Sequence, residues 1–121
     1  MLYTMLPEIW GGSMWNSIHF VACGYPDKPS CKDKKQYCQF YASLANVLPC
    51  KGCSKSIKNI MQRLPIRKYL NSRKRLLYWT YLLHNAVNRK LKKTIKISWG
   101  VVCKKYIRLS YYPKKQKANC K

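Results

Sequence analysis

The sequence predicts an all-α fold, a four-helix bundle with a short fifth helix. Three observations predict it. Apolar residues recur at three- and four-residue spacing in four separate stretches, the pattern of helices that bury one face. Strand-like alternation is scarce, and no internal repeat is visible. Prolines, glycines or a short basic run fall between the stretches, giving the short connections that join neighbouring helices of a bundle. At 121 residues the chain suits one domain with a hydrophobic core and is too short for two.

Taken in order, Ser13 is read as the cap of a first helix carrying Trp15, Ile18, His19 and Ala22 and ended by Gly24-Tyr25-Pro26. The stretch YPDKPSCKD reads as a loop, with Asp33 capping a second helix whose apolar positions are Tyr37, Phe40, Tyr41, Leu44 and Leu48. Pro49 breaks it. A third helix starts at Cys50 and Cys53 and carries Ile57, Ile60, Met61 and Leu64 as far as Pro65. IRKYLNSRKR is a basic connector. The fourth helix, from about Leu76 to Leu91, places Leu76, Thr80, Leu83, His84, Val87 and Leu91 on one face. The short fifth helix carries Trp99, Val102, Cys103 and Tyr106. The expected organisation is an N-terminal segment (1–10), a domain (11–110) and a mobile basic C-terminal tail (111–121).

Only Glu8, Asp27 and Asp33 oppose 25 Lys and Arg, for a formal charge of +22. Such a charge favours anionic partners, whether nucleic acid or acidic surfaces, and equally makes a solvating coat; it says little about fold. The longest apolar run, LLYWTYLL, stops at His84-Asn85, far short of the roughly 18 residues of a membrane span. The N-terminus lacks a basic region followed by a long apolar stretch, so the reading is an intracellular protein. Seven cysteines in that setting point to catalysis or metal rather than to a disulfide framework.

Cys50 and Cys53 form a C-x-x-C after Pro49, at the first turn of the third helix, where unpaired N–H groups and the helix dipole favour a thiolate. A thiolate serves both redox chemistry and metal binding. A thioredoxin-like reading needs a βαβ context, which this chain lacks. A structural zinc needs two more ligands at paired spacing; there is no second C-x-x-C and no H-x₃₋₅-H, although His19, Cys38 or His84 could complete a dispersed site. The third reading is a dithiol beside a cofactor that accepts its electrons. Cys23, Cys31 and Cys38 read as packed or incidental thiols.

Two further stretches bear on the choice. GGSMWNSIH sets Trp15 and His19 four apart on one helix face. WTYLLHNAVNRKLKK sets His84 and Asn88 four apart, with Asn85 adjacent and Lys92 and Lys93 beyond. Asparagines midway along a helix need partners, which a polar aromatic ligand held between helices would supply.

These elements together resemble the Erv/ALR flavin-linked sulfhydryl oxidases. The resemblance runs over about residues 11 to 99: a Gly-rich start and W-x-x-x-H (Trp15, His19), then Tyr25-Pro26 with Pro29, Cys50 and Cys53 after Pro49, and H-N-x-V-N (His84, Asn85, Val87, Asn88). It implies a bundle that binds FAD and pairs as a homodimer. By the same resemblance Gly11, Gly12, Trp15, His19, His84, Asn85, Val87 and Asn88 contact the cofactor, Lys90 and Lys93 lie near its phosphates, and Trp99 is a later aromatic contact. Cys50 meets the substrate and Cys53 the flavin; thiol-containing substrate proteins are oxidised and O2 is reduced to H2O2.

Tyr81 stands where cellular members carry a structural cysteine, so that disulfide is not expected. No terminal C-x-x-C is present, leaving Cys120, with Cys103 or a subunit mate, as the candidate shuttle thiol. Small size and a short N-terminus resemble viral members, which implies the host cytoplasm or the virion. No metal site is assigned. The alternative is a small basic nucleic-acid-binding protein with a structural zinc site; the charges, however, are spread along the chain, and no nucleic-acid motif is present.

Overall fold

A computed structural model describes residues 5–93 and 96–108. The expected basic tail, with Cys120, lies outside the described residues, as do positions 1–4 of the N-terminal segment. The fold is the all-α bundle: α1 (Pro7–Cys23), α2 (Cys31–Asn46), α3 (Lys51–Arg63), a 3₁₀ turn (Ile66–Tyr69), α4 (Arg73–Lys90) and α5 (Trp99–Val102), which runs on as a π-helical turn (Cys103–Arg108). Among the described residues no helix is long and apolar enough to cross a membrane.

Three helix starts differ from the sequence reading. α1 begins at Pro7 rather than near Ser13, so the expected N-terminal segment already contains its first turn. Pro7 sits in that first turn, where its missing N–H costs nothing, and Glu8 complements the dipole. The cap of α2 is Ser30, not Asp33: Ser30 Oγ accepts from the Asp33 N–H, and the Asp33 carboxylate accepts from the Ser30 N–H, a reciprocal capping box. α4 starts at Arg73 behind a Ser72 cap, shortening the basic connector.

α1 packs chiefly against α4, with α2 and α3 closing the other side. The core between them holds Ile18, Ala22, Tyr41, Ala45, Ile57, Ile60, Leu76, Leu77, Trp79 and Leu83. Each of the larger side chains contributes roughly 1.5–3 kcal/mol by leaving water. Buried polar tips find carbonyl acceptors: Tyr41 Oη donates to Ile18 O (2.7 Å), Tyr25 Oη to Leu70 O (2.7 Å) and Trp79 Nε1 to Leu64 O (2.9 Å). These bonds tie α2 to α1 and α4 to the C-terminal end of α3. The π-helical turn returns to α1, where Cys23 Sγ donates to Tyr106 O (2.8 Å) and Tyr106 Oη to Asn16 Oδ1 (2.6 Å).

Candidate active site

Cys50 is itself the N-cap of α3. Its backbone is extended (φ −146°), and its sulfur accepts the Cys53 N–H at 3.2 Å. Cys53 follows in the first turn, and the two form a disulfide with Cα atoms 5.2 Å apart. The N–H bond to Cys50 favours negative charge on that sulfur once the bond opens. Sequence reasoning placed the pair at this helix start but did not identify Cys50 as the residue receiving the cap hydrogen bond.

The disulfide stands on the wall of a cavity of about 690 Å³ between α1, α3 and α4. Of the residues expected at a cofactor, Gly11, Gly12, Trp15, His84, Val87, Lys90 and Lys93 line it together with Cys50 and Cys53. Gly11 and Gly12 lie inside a helix, where each costs about 1 kcal/mol relative to alanine. A Cβ added at either would meet no protein atom within 4 Å, so the bare backbone borders open space that a ligand can approach closely.

Trp15 and His84 lie flat against each other, with ring centroids 3.9 Å apart and planes 6° apart. His19 is buried behind His84 rather than on the cavity wall: its Nε2 is 3.0 Å from His84 Nδ1, and its Nδ1 is 2.9 Å from Thr80 Oγ1. Burial holds both imidazoles neutral well below the ordinary histidine range. Lys105 adds to this at His19, and His19, Lys93 and Lys105 add to it at His84.

The other expected contacts lie off the cavity. Asn85 brackets the backbone of Ile97, donating to its carbonyl (3.0 Å) and accepting from its N–H (3.1 Å). The partner that its mid-helix position calls for is thus another segment of the chain. Asn88 is buried within α4. Trp99 packs edge-on against Tyr78 (5.1 Å) and against Tyr81 (5.6 Å).

Sequence reasoning missed Asn16 on α1 and Lys105 and Tyr106, which join the cavity wall from the far end of the chain; Lys105 Nζ donates to Asn16 Oδ1 at 3.1 Å. Contacts between residues 89 or 90 positions apart leave no local signature. Lys93 reaches the wall through the end of α4. Lys92 takes the left-handed conformation (φ 56°), its N–H donates to Arg89 O and the Lys93 N–H to Asn88 O, both at 3.0 Å, forming a Schellman turn. The resulting wall carries Lys90, Lys93 and Lys105 against one carboxylate, Glu8. It can take a flat aromatic group beside a disulfide and anionic groups beside the lysines.

A second, outer groove of about 540 Å³ opens on the other side of the disulfide, and Cys50 lines both spaces. Cys53 lines the inner cavity. Among the described residues no group of three or more His, Cys, Asp or Glu is placed to hold a metal ion.

The model of the Erv1 / Alr family matches residues 12–108. Among relatives, the probable FAD-linked sulfhydryl oxidase of Acanthamoeba polyphaga mimivirus is 40% identical over 85 residues, which are 69% of this chain and 59% of that protein. The FAD-linked sulfhydryl oxidase of African swine fever virus (isolate Pig/Kenya/KEN-50/1950) is 33% identical over 91 residues, 75% of this chain and 74% of that one. The match thus spans about three fifths of the mimivirus relative, 59%, and more of the swine-fever relative. Among solved structures, the FAD binding domain of Erv1 from Saccharomyces cerevisiae superimposes with a TM-score of 0.77 at 30% identity, covering 84% of this chain and 94% of that one.

Proposed function

This chain belongs to the Erv1/Alr family, and on that premise we propose that it is an FAD-dependent thiol oxidase that forms disulfide bonds in substrate proteins and passes the electrons to O2. The observation that carries the proposal is the position of the Cys50–Cys53 disulfide, on the wall between the cavity and an outer groove.

The cavity fits FAD. Its volume is within the roughly 300–1,000 Å³ of small-molecule sites. Gly11 and Gly12 offer bare backbone, the Trp15–His84 pair offers a flat aromatic face, and Lys90, Lys93 and Lys105 offer charge for a pyrophosphate. Val87 completes the wall, while His19, Asn85 and Trp99 act from behind it by holding His84, α4 and α5 in place; Asn88 is buried in α4.

In the reaction, a substrate thiolate attacks Sγ of Cys50. A bond to the substrate sulfur forms, the Cys50–Cys53 bond breaks, and Cys53 leaves as thiolate. The substrate's second thiolate then attacks its own sulfur in the mixed disulfide and displaces Cys50 as thiolate. The N–H of Cys53 steadies that leaving sulfur. Two electrons have passed from the substrate dithiol to the protein pair. FAD, when bound, takes those electrons from the pair and delivers them with two protons to O2, giving H2O2.

The matched relatives include viral oxidases, which supports a viral member working in the host cytoplasm or the virion. A homodimer follows from the same family resemblance. The nucleic-acid and zinc alternative is not favoured, since the chain matches the Erv1/Alr family and relatives named FAD-linked sulfhydryl oxidases; weak binding of acidic surfaces by a +22 chain is compatible with oxidase activity. The test is a visible spectrum of the purified protein. It should be yellow, bleach on addition of dithiothreitol without air, and recover in air with one H2O2 per disulfide formed. A folded, colourless preparation that releases no flavin on denaturation overturns the proposal.

A further inference from the structure

The outer groove beside Cys50 is bordered on α3 by Lys51, Lys55 and Lys58, all exposed and, at spacings of four and three, on one helix face. This is a poor arrangement for the helix alone. Cations near a helix N-terminus oppose its dipole, and like charges three or four apart repel, each effect amounting to a few tenths of a kcal/mol. Among the described residues no carboxylate relieves them. Glu8 lines the inner cavity, Asp33 is bound in the α2 cap, and Asp27 makes the single ion pair found among the described residues, with Arg73. The remaining groove wall includes Asn46, Asn59 and Gln62, side chains suited to hydrogen-bonding an extended backbone.

We propose that this groove selects substrates by charge, docking a protein segment in which Asp or Glu residues flank the cysteine to be oxidised. The proposal rests on the thiol-oxidase reading and names its substrate class. An acidic segment lying along α3 places its carboxylates over the three lysines while its thiolate meets Cys50. It also supplies the negative charge that the helix start lacks. Among the described residues no aromatic side chain lines the groove for bases to stack on, which favours an acidic polypeptide over single-stranded nucleic acid.

The experiment compares two dithiol peptides with the same cysteine spacing, one with Asp and Glu around the cysteines and one with Lys. Oxygen uptake is followed with the intact flavin-loaded protein, with dithiothreitol as a charge-neutral substrate. The ratio of kcat/KM, acidic over basic, should be about 10 at low salt and fall towards one in high salt. The ratio cancels any change in the reactivity of the sulfurs themselves, so it can be read in variants. Lys51→Gln, Lys55→Gln and Lys58→Gln together should bring it near one. Lys32→Gln, Lys35→Gln and Lys74→Gln together remove the same charge from exposed sites elsewhere and should leave it high.

A ratio near one in the unaltered protein that oxidises dithiothreitol overturns the charge-selection inference alone. Equal loss of the ratio in both triple variants also overturns it, assigning the preference to the field of the whole molecule. Inhibition by a short oligonucleotide that vanishes only in the groove variant reassigns the groove to nucleic acid. Failure to oxidise dithiothreitol or either peptide removes the oxidase reading itself, and this inference with it.

Discussion

Nε2 of His19 lies 3.0 Å from Nδ1 of His84, and the direction of that hydrogen bond is fixed from behind. The Thr80 hydroxyl donates to Leu77 O at 2.6 Å, so towards His19 it can only accept, and His19 Nδ1 carries the proton. His19 Nε2 is then an acceptor, and His84 presents its Nδ1–H to it. One hydroxyl on α4 thereby sets the tautomers of two rings, the second of which lies flat on Trp15 at the cavity. Replacing Thr80 with Val keeps the shape and removes the acceptor. The expected loss is about 1–3 kcal/mol, the cost of an unpaired buried donor, measured by urea unfolding; Thr80→Ser should restore most of it. A Val variant as stable as the original would mean that the hydroxyl does not orient the pair.

Acid should weaken the fold through the same two rings. Both are held neutral well below the ordinary value of 6.5, mainly by burial. As pH falls through 6.5 the unfolded chain binds protons that the folded chain refuses, so stability present at neutral pH declines from there downward. With three Asp and Glu side chains in the sequence, little else contributes to that acid limb. Urea midpoints should be lower at pH 5 than at pH 7.5; equal midpoints would contradict the burial of the pair.

Lys92 is a non-glycine residue in the left-handed region, at the turn that ends α4. Glycine suits this position, and a side chain there is strained by roughly 1–2 kcal/mol. Part of that is offset by the greater freedom of glycine in the unfolded chain. Lys92→Gly should therefore stabilise the protein by about 0.5–1 kcal/mol, read as a rise in thermal midpoint. A fall would show that the lysine side chain makes a compensating contact.

The two sulfurs should fail differently when replaced. Cys53→Ser leaves no dithiol for the cofactor to oxidise, and Cys50→Ser leaves no sulfur on the outer groove. Peptide turnover should fall at least about 1,000-fold in each, since the pair acts as a unit. The Cys50→Ser protein retains Cys53 in the inner cavity, so a small thiol able to enter should still bleach its flavin slowly, whereas the Cys53→Ser flavin should stay oxidised. Identical behaviour of the two variants in stopped-flow absorbance would remove the distinction.

Much of the bundle was legible because its helices are periodic and its core residues are ordinary: Ile57 and Ile60 on α3, and Leu76 and Leu83 on α4, are buried in the structure. The neighbourhood of Cys50, Cys53, Trp15 and His84 was legible because those residue types recur at fixed spacings. The start of α1 was misread because Gly11-Gly12 resembles a loop, and the weaker signal of Pro7 with Glu8 was passed over. Asn85 was recognised as needing a partner, but no sequence pattern says whether that partner is a ligand or the backbone of Ile97. Lys105 and Asn16 meet only because the π-helical turn folds back on α1, which no local window contains. Thr80 was assigned to a helix face, but its role depends on two rings meeting from different helices.

Cys50 faces two compartments at once, and in the proposed reaction that frees the chain from the dimensions of its clients. Nothing has to be swallowed: electrons cross the partition through a single S–S bond while the bulk of the donor stays outdoors. A finished, folded polypeptide and a few-residue fragment then knock at the same door. Between clients of like charge, what decides is how far a thiol protrudes from its owner.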